Sequence, residues 1–236
     1  MSDETREPNL DRPVVDPVAR LSYAGVPFLP GEVDGPPLPL LHRWYTEAVA
    51  DERVYEPGAM VVATVDEAGL PDARTVLLKG LDAGGFVFFT NLGSAKARQL
   101  RAQPHAAAVL LWHPMYRQVR VRGPVSLVSR QESVDYWTTR PRDSRIASRA
   151  SHQSQPVASR ADLEAMVAAE AARWPDTGSA DDVPLPDWWG GFRLAPQTIE
   201  LWVGQRSRLH DRVVFERVGH GGLDDPGSWR RHRLQP

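Results

Sequence analysis

Between two apolar segments, TIELWV and VVFERV, the chain places RSRLHDR, residues 206 to 212. On an extended strand Arg208, His210 and Arg212 share one face, while Leu209 and Asp211 point the other way. Three cationic or ionisable groups side by side repel one another unless an anion or polar ligand lies against them. A solvated edge strand tolerates the same pattern. The stretch is therefore either the wall of an anionic pocket or a wet sheet edge.

Three further clusters suit anions. In RTVLLK, Arg74 and Lys79 are five apart, a spacing that sends them to opposite faces of a strand unless a bulge or a strand end intervenes. TNLGSAK leads into a helix whose free N–H groups and positive dipole end can receive a phosphate beside Lys96, or it is a capped helix with a solvated lysine. In YWTTRPRDS, Tyr136, Arg140 and Ser144 recur every four residues, but Pro141 favours a turn between two short helices over one continuous helix. Phenol, guanidinium and hydroxyl together make a phosphate clamp, and an arginine-capped helix end reads the same way. Of the 28 basic residues only Lys79 and Lys96 are lysines; a compact ammonium and a guanidinium fork are chemically distinct, so both positions stand out.

The elements that must position these groups are legible in the hydrophobic pattern. Residues 1–36 are rich in Pro, Asp and Glu and read as a mobile or draped N-terminal arm, followed by one domain over 37–236. Leu40, Leu41, Trp44, Tyr45, Ala48 and Val49 recur at helical spacing. AMVVATVD, ARTVLLKGL, GFVFFTN, HAAAVLLW and RQVRVRGPVSLVS read as strands joined by glycine-bearing turns. Ser94 predicts the start of a helix over SAKARQLRAQP, Ser129 with Glu132 predicts a capping box, and a longer helix covers about 160–173. GGFRLAP, QTIELWV, RLHDRVVFERV and SWRRHRL return to strands. Strands on both sides of a helical insertion, without strict βαβ alternation, predict an α+β fold built on a β-barrel.

Composition narrows the function. Net charge is −2 and no cysteine occurs, so a nucleic-acid or membrane partner is not expected, and thiolate nucleophiles and cysteine-ligated metals are excluded. The first residues lack a basic and an apolar signal region and no run of about 18 apolar residues occurs, which predicts a cytoplasmic protein. Walker loop, dinucleotide-binding glycine fingerprint and HExxH are missing, and no metal site is expected.

In this order, RTVLLK, FFTNLGSAKA, RQVRVRG, YWTTRPRDS, HQSQ, VPLPDWWGGFRL, IELWVGQRSRLHDR and the final RLQP resemble the motifs of the pyridoxine/pyridoxamine 5'-phosphate oxidases, flavoenzymes of the FMN-binding split-barrel class. The resemblance runs from about Met60 to the C-terminus. It implies a split β-barrel with peripheral helices, a homodimer, and FMN-dependent oxidation of pyridoxamine or pyridoxine 5'-phosphate to pyridoxal 5'-phosphate, with O2 as acceptor and H2O2 as product. A related split-barrel flavin oxidoreductase acting on another ring, such as a phenazine precursor, is the alternative.

Carried over residue by residue, the resemblance implies FMN contacts from Arg74, Thr75, Val76, Leu77, Leu78, Lys79, Phe89, Thr90, Lys96, Gln118, Gln153, Ser154, Trp202 and Arg212. Substrate phosphate falls to Lys79, Tyr136, Arg140 and Ser144, with Arg208 and His210 as the catalytic pair over the substrate ring. RLSY, Arg20 to Tyr23, matches a segment that closes over the site in relatives. Ala95 departs from the pattern, standing where relatives commonly carry arginine, and Phe89 stands where tyrosine is frequent.

Overall fold

The computed structural model describes residues 22–179 and 182–236. After α1 (Pro37–Ala50) come β1 (Ala59–Val65), β2 (Pro71–Asp82) and β3 (Gly85–Asn91), then α2 (Ala95–Ala102), β4 (His105–Trp112) and β5 (Arg117–Leu127). Three helices follow, α3 (Arg130–Thr139), α4 (Arg142–Ala150) and α5 (Arg160–Arg173), and then β6 (Trp189–Leu194), β7 (Thr198–Val203), β8 (Asp211–Arg217) and β9 (Trp229–Arg233). The mixed helix and strand order agrees with the α+β reading. Among the described residues no helix is long and apolar enough to cross a membrane.

All strand pairings are antiparallel, in the order β4-β1-β2-β3-β6-β5-β7-β8-β9, and β4 also pairs with β5. The extra pairing closes β1, β2, β3, β6, β5 and β4 into a six-stranded barrel, which removes free edges from that part of the sheet. The split occurs along β5. Its residues Arg117 to Arg122 pair with β7, whereas Val125 to Leu127 pair with β6. Gly123 marks the fork: a Cβ there would lie 2.0 Å from Ala195 O in the β6–β7 connection, so only glycine fits beneath that crossing. The barrel interior is filled by alternate strand residues such as Met60, Val62, Phe86, Phe88, Val119 and Val121, and Ile199 and Leu201 of β7 extend the same buried core.

Local chemistry sets the helices. Ser94 caps α2 by accepting from Ala97 N–H, and Ser129 with Glu132 forms the reciprocal capping box of α3. Pro141 separates α3 from α4, as its missing N–H and ring demand. Trp137, Ile146, Val183 and Trp189 form a second, smaller core that fixes α3 and α4 against β6.

The arm read over residues 1–36 precedes α1, which starts at Pro37. Residues 1–21 of the arm lie outside the described residues. Its described part packs on β7, β8 and α1: Gly25 N–H donates to Gly204 O, just after β7, at 2.9 Å, Phe28 N–H to Asp211 Oδ2 at 3.2 Å, and the Phe28 ring stacks on Trp44 at 5.5 Å.

Candidate active site

One cavity of about 940 Å³ gathers Arg74, Thr75, Val76, Leu77 and Lys79 from β2, Phe89 and Thr90 from β3, Lys96 from α2, Tyr136, Arg140 and Ser144 from α3 and α4, and Gln153 from the following loop. Those are twelve of the residues singled out in the sequence, drawn from segments up to 79 positions apart. Leu78 does not line it, being buried in the barrel core.

At one end the β3–α2 turn, which Asn91 shapes by accepting from Gly93 N–H at 2.7 Å, delivers the α2 N-terminus to the cavity. Lys96 is buried there, its Nζ donating to Gln153 Oε1 at 2.7 Å and Thr90 Oγ1 at 3.1 Å. Among the described residues no carboxylate touches it; burial, and then the nearby Arg74 guanidinium, pull its pKa down to about 8, while Asp72 opposes them. Ser154, which does not line the cavity, reaches the same helix end and accepts from Ala95 N–H at 3.1 Å. A buried ammonium beside a helix N-terminus is an arrangement that can receive a small anion.

Arg74 lies along the same wall, its Nη1 donating to Thr64 Oγ1 at 2.6 Å and its Nη2 to Gln99 Oε1 at 2.9 Å, with Asp72 as an ion-pair partner. The irregularity that the five-residue spacing requires is present. Between Leu78, paired with Phe88, and Gly80, paired with Val87, Lys79 is the extra residue of a β-bulge. Arg74 and Lys79 consequently line one cavity.

The other end is aromatic and cationic. Phe89 and Tyr136 stack at 4.2 Å and 15°, and Phe89 stacks on Trp189 at 5.5 Å. Gly191, paired with Phe89 across β3 and β6, makes room for that ring, since a Cβ there would lie 2.7 Å from it. The Arg140 guanidinium sits over Trp137 and Trp189, 5.0 and 4.8 Å from their ring centroids. Its Nη2 donates to Ser148 Oγ at 2.8 Å and Ser144 O at 3.2 Å, while Nη1 is buried without a hydrogen-bond partner among the described residues. Burial lowers the pKa of Arg140 and raises that of Tyr136. A buried guanidinium edge with nothing to donate to is costly, and an anion in the cavity would relieve it.

Gln118, Trp202, Arg208, His210 and Arg212 lie apart from this cavity, on β5, β7, β8 and the turn between the last two. Gln118 pairs with Trp202, and Trp202 with Arg212, so these three share a sheet face. The reading of Arg208, His210 and Arg212 as one strand face is corrected here. Residues 206–208 form a 3₁₀ turn, Ser207 and Arg208 have φ of 55° and 63°, and the strand begins only at Asp211. Two consecutive left-handed side-chain-bearing residues cannot continue a pleat. Arg208 is exposed on the turn, and His210 is held by its neighbours: Nδ1 accepts from Gln205 N–H at 3.0 Å, and the ring packs 4.8 Å from Trp202 and 5.7 Å from Tyr23. With Nδ1 accepting, the neutral ring carries its proton on Nε2. Of RLSY, Arg20 and Leu21 are outside the described residues, whereas Tyr23 is a direct neighbour of His210.

The cavity also includes residues that the sequence reading passed over: Asn91, Ser148, Ser151 and Trp189, and one side of α5 through Leu163 and Val167. The α5 pattern shows only an amphipathic helix, and nothing in it says what its apolar side covers.

Residues 46–174 match the family model described as pyridoxamine 5'-phosphate oxidase, and residues 189–236 match the pyridoxine 5'-phosphate oxidase C-terminal dimerisation region. A pyridoxine/pyridoxamine 5'-phosphate oxidase of Pseudomonas putida (strain W619) is 44% identical over 218 residues, 92% of this chain and 96% of the relative. One from Streptomyces avermitilis is 42% identical over 228 residues, 95% and 98% of the two chains. Among solved structures, PhzG from Burkholderia lata 383, in complex with tetrahydrophenazine-1-carboxylic acid, superposes with a TM-score of 0.78 at 30% identity, covering 90% of this chain and all of that one. An FMN-binding protein of Nostoc punctiforme, 17% identical with a TM-score of 0.64 over 86% of this chain and 98% of that one, shares the fold. With its split barrel and both family models matched in order, the chain belongs to the pyridoxamine 5'-phosphate oxidase family of FMN-dependent oxidoreductases.

Proposed function

We propose that this protein oxidises pyridoxamine 5'-phosphate or pyridoxine 5'-phosphate to pyridoxal 5'-phosphate, with O2 as acceptor and H2O2 as product, in the cytoplasm. The observation that carries the reading is the Arg140 guanidinium, its Nη1 buried and, among the described residues, unpaired, beside Ser144 and Tyr136, in a cavity also lined by Lys79 and the desolvated Lys96. Two separated cationic ends suit a phosphorylated cofactor and a phosphorylated substrate held together. The chain's residues fit FMN: Lys96, Thr90 and the α2 N-terminus would hold its phosphate, with Arg74 beside them, and Thr75 to Leu77 would flank the remainder. Bound FMN supplies the two-electron acceptor and the reaction with O2.

The protein's own part is orientation and proton handling. Arg140, Ser144, Tyr136 and Lys79 would bind the substrate phosphate, fixing one end of a small flat ring. Arg208 would lie over that ring, and His210 would present Nε2–H to it, a donor orientation that Gln205 N–H maintains through Nδ1. The amine substrate loses ammonia after oxidation of its aminomethyl carbon, whereas the alcohol gives the aldehyde directly.

Arg208, His210, Gln118, Trp202 and Arg212 would reach the cavity from a second copy of the chain. Supporting this, paired residues place Leu77, Val61, Val109, Gln118 and Trp202 on one outward face of the sheet. Val61, Leu77 and Leu111 of that face are exposed, an apolar patch that a homodimer would cover. The match to a C-terminal dimerisation region supports the same arrangement.

Anaerobic mixing with pyridoxamine 5'-phosphate tests the reading: the flavin absorbance bleaches and O2 restores it with release of peroxide. The likeness to PhzG favours a second reading, oxidation of a reduced phenazine precursor. Bleaching by an unphosphorylated tricyclic substrate, with none by pyridoxamine 5'-phosphate, would select it.

A further inference from the structure

A buried carboxylate, Glu200, stands next to the groups proposed to reach the cofactor. Glu200 sits in the middle of β7 with its side chain only 4% exposed, on the same face as Trp202 and opposite Arg120 of β5. Arg120 Nη2 donates to Glu200 Oε2 at 2.5 Å, and Arg212 Nε donates to Glu200 Oε1 at 2.8 Å. Each carboxylate oxygen thus holds one guanidinium, and the three side chains bridge β5, β7 and β8. Arg212 is fixed a second time by Nη1, which donates to Gln235 O at 3.0 Å. With Nε and Nη1 engaged, the guanidinium plane is set and Nη2 is the nitrogen left to meet a ligand. The Glu200 hydrogen bond also holds the pKa of Arg212 up.

We propose that Glu200 is a positioning residue for the cofactor: its carboxylate, shared between Arg120 and Arg212, locks the orientation in which Arg212 meets FMN. The inference rests on the reading that Arg212 contacts FMN. A carboxylate in this place costs desolvation that an apolar residue of like size would avoid, so burial alone does not account for it. Two guanidiniums around one carboxylate also leave one net positive charge on this face, which suits an electron-rich partner. Arg120, nearly half exposed, is the balancing charge.

The test uses FMN titration of the apoprotein, read by flavin fluorescence, with thermal melting as a check on the fold. Glu200→Gln leaves two guanidiniums around a neutral amide; the double variant Glu200→Gln/Arg120→Gln restores the charge balance and is the better-folded probe. Both should weaken FMN binding by about tenfold, whereas Arg120→Gln alone should stay within about twofold. In an Arg212→Ala background, Glu200→Gln should cause no further loss, because its effect passes through Arg212. A merely structural Glu200 would instead weaken binding equally in both backgrounds, and that result overturns the proposal. So does unchanged FMN affinity in the folded double variant. If Arg212→Ala itself leaves FMN affinity unchanged, the placement of Arg212 at the cofactor is what fails.

Discussion

Lys96 Nζ and Gln153 Oε1 lie 2.7 Å apart although 57 residues separate them, and this bond ties the α2 N-terminus to the loop after α4. Its consequence is a pH dependence of cofactor binding. Lys96 has a pKa of about 8 without ligand, lowered chiefly by burial. A phosphate dianion favours the charged ammonium, so binding is linked to proton uptake once the lysine has deprotonated. FMN affinity should therefore be flat between about pH 7 and 8 and fall by up to about tenfold per unit above that. Below about pH 6 the phosphate itself gains a proton, a separate limb. Lys96→Met should bind weakly at every pH and lose the alkaline limb. An alkaline limb that survives in Lys96→Met would show that another group governs it.

Arg140 provides a test of the substrate end. Removing its guanidinium deletes the charge-assisted bond that the free Nη1 would make to a phosphate, about 1.5 to 3 kcal/mol. Arg140→Ala should lower kcat/KM for pyridoxamine 5'-phosphate by about ten- to a hundredfold, mostly through KM, while FMN affinity stays within about twofold. A loss of FMN with no change in KM would move Arg140 to the cofactor.

Arg208→Ala and His210→Ala should keep FMN and lose turnover by about ten- to a thousandfold if they orient the substrate ring. Steady-state kinetics on flavin-saturated protein measure this directly. Arg208→Ala within about twofold of the parent kcat/KM would remove that turn from the mechanism.

How far the sequence carried depended on the range of the interaction. Ser94, the Ser129–Glu132 box and Pro141 act within three or four residues, so the starts of α2 and α3 and the α3–α4 break were readable. The turn at Ser207 and Arg208 was not. Alternation of Arg208, His210 and Arg212 imitates a strand, while the positive φ values that stop it involve neither glycine nor asparagine. The bulge at Lys79 could be posed as a condition but not located, because it exists only in the register of β2 against β3. Glu200 was invisible for a related reason: its partners lie 80 and 12 residues away, and one carboxylate within TIELWV looks like a solvent-facing position. Recognition of the eight motifs bridged that gap for the cavity residues, yet it could not say that they fall into two groups within one chain.

The fork of the barrel yields a stability prediction. Gly123→Ala would force a Cβ to within 2.0 Å of Ala195 O and 2.9 Å of Gln197 N, main-chain atoms of a connection held in place by Ala195 N–H donating to Pro124 O and Gln197 N–H donating to Arg122 O. Overpacking of this kind costs about 1 to 3 kcal/mol or more. Thermal melting should show a clearly lowered midpoint, with FMN binding weakened in step because β5 carries Gln118. An unchanged midpoint would mean that the β6–β7 connection moves aside easily.

The family resemblance implies an arginine where this chain has Ala95, and the structure places Ala95 as the first residue of α2, beside buried Lys96. Its N–H donates to Ser154 Oγ, so the main chain there is already oriented. An added guanidinium could give a phosphate one more charge-assisted bond of about 1.5 to 3 kcal/mol. Against it stand the first-turn helix dipole, at about 0.3 to 1 kcal/mol, and the ordering of a long side chain in partial solvent. The net gain is about 0.5 to 1.5 kcal/mol, so Ala95→Arg should tighten FMN binding about two- to twelvefold. The gain should shrink at high salt, since the new charge is half-exposed, and melting of the apoprotein should show slight destabilisation from the same dipole term. Titration with FMN at two ionic strengths reads the first effect and a melt without FMN the second. Equal or weaker FMN affinity in a folded Ala95→Arg protein would mean that residue 95 faces away from the phosphate, and the α2 N-terminus would then need a different ligand.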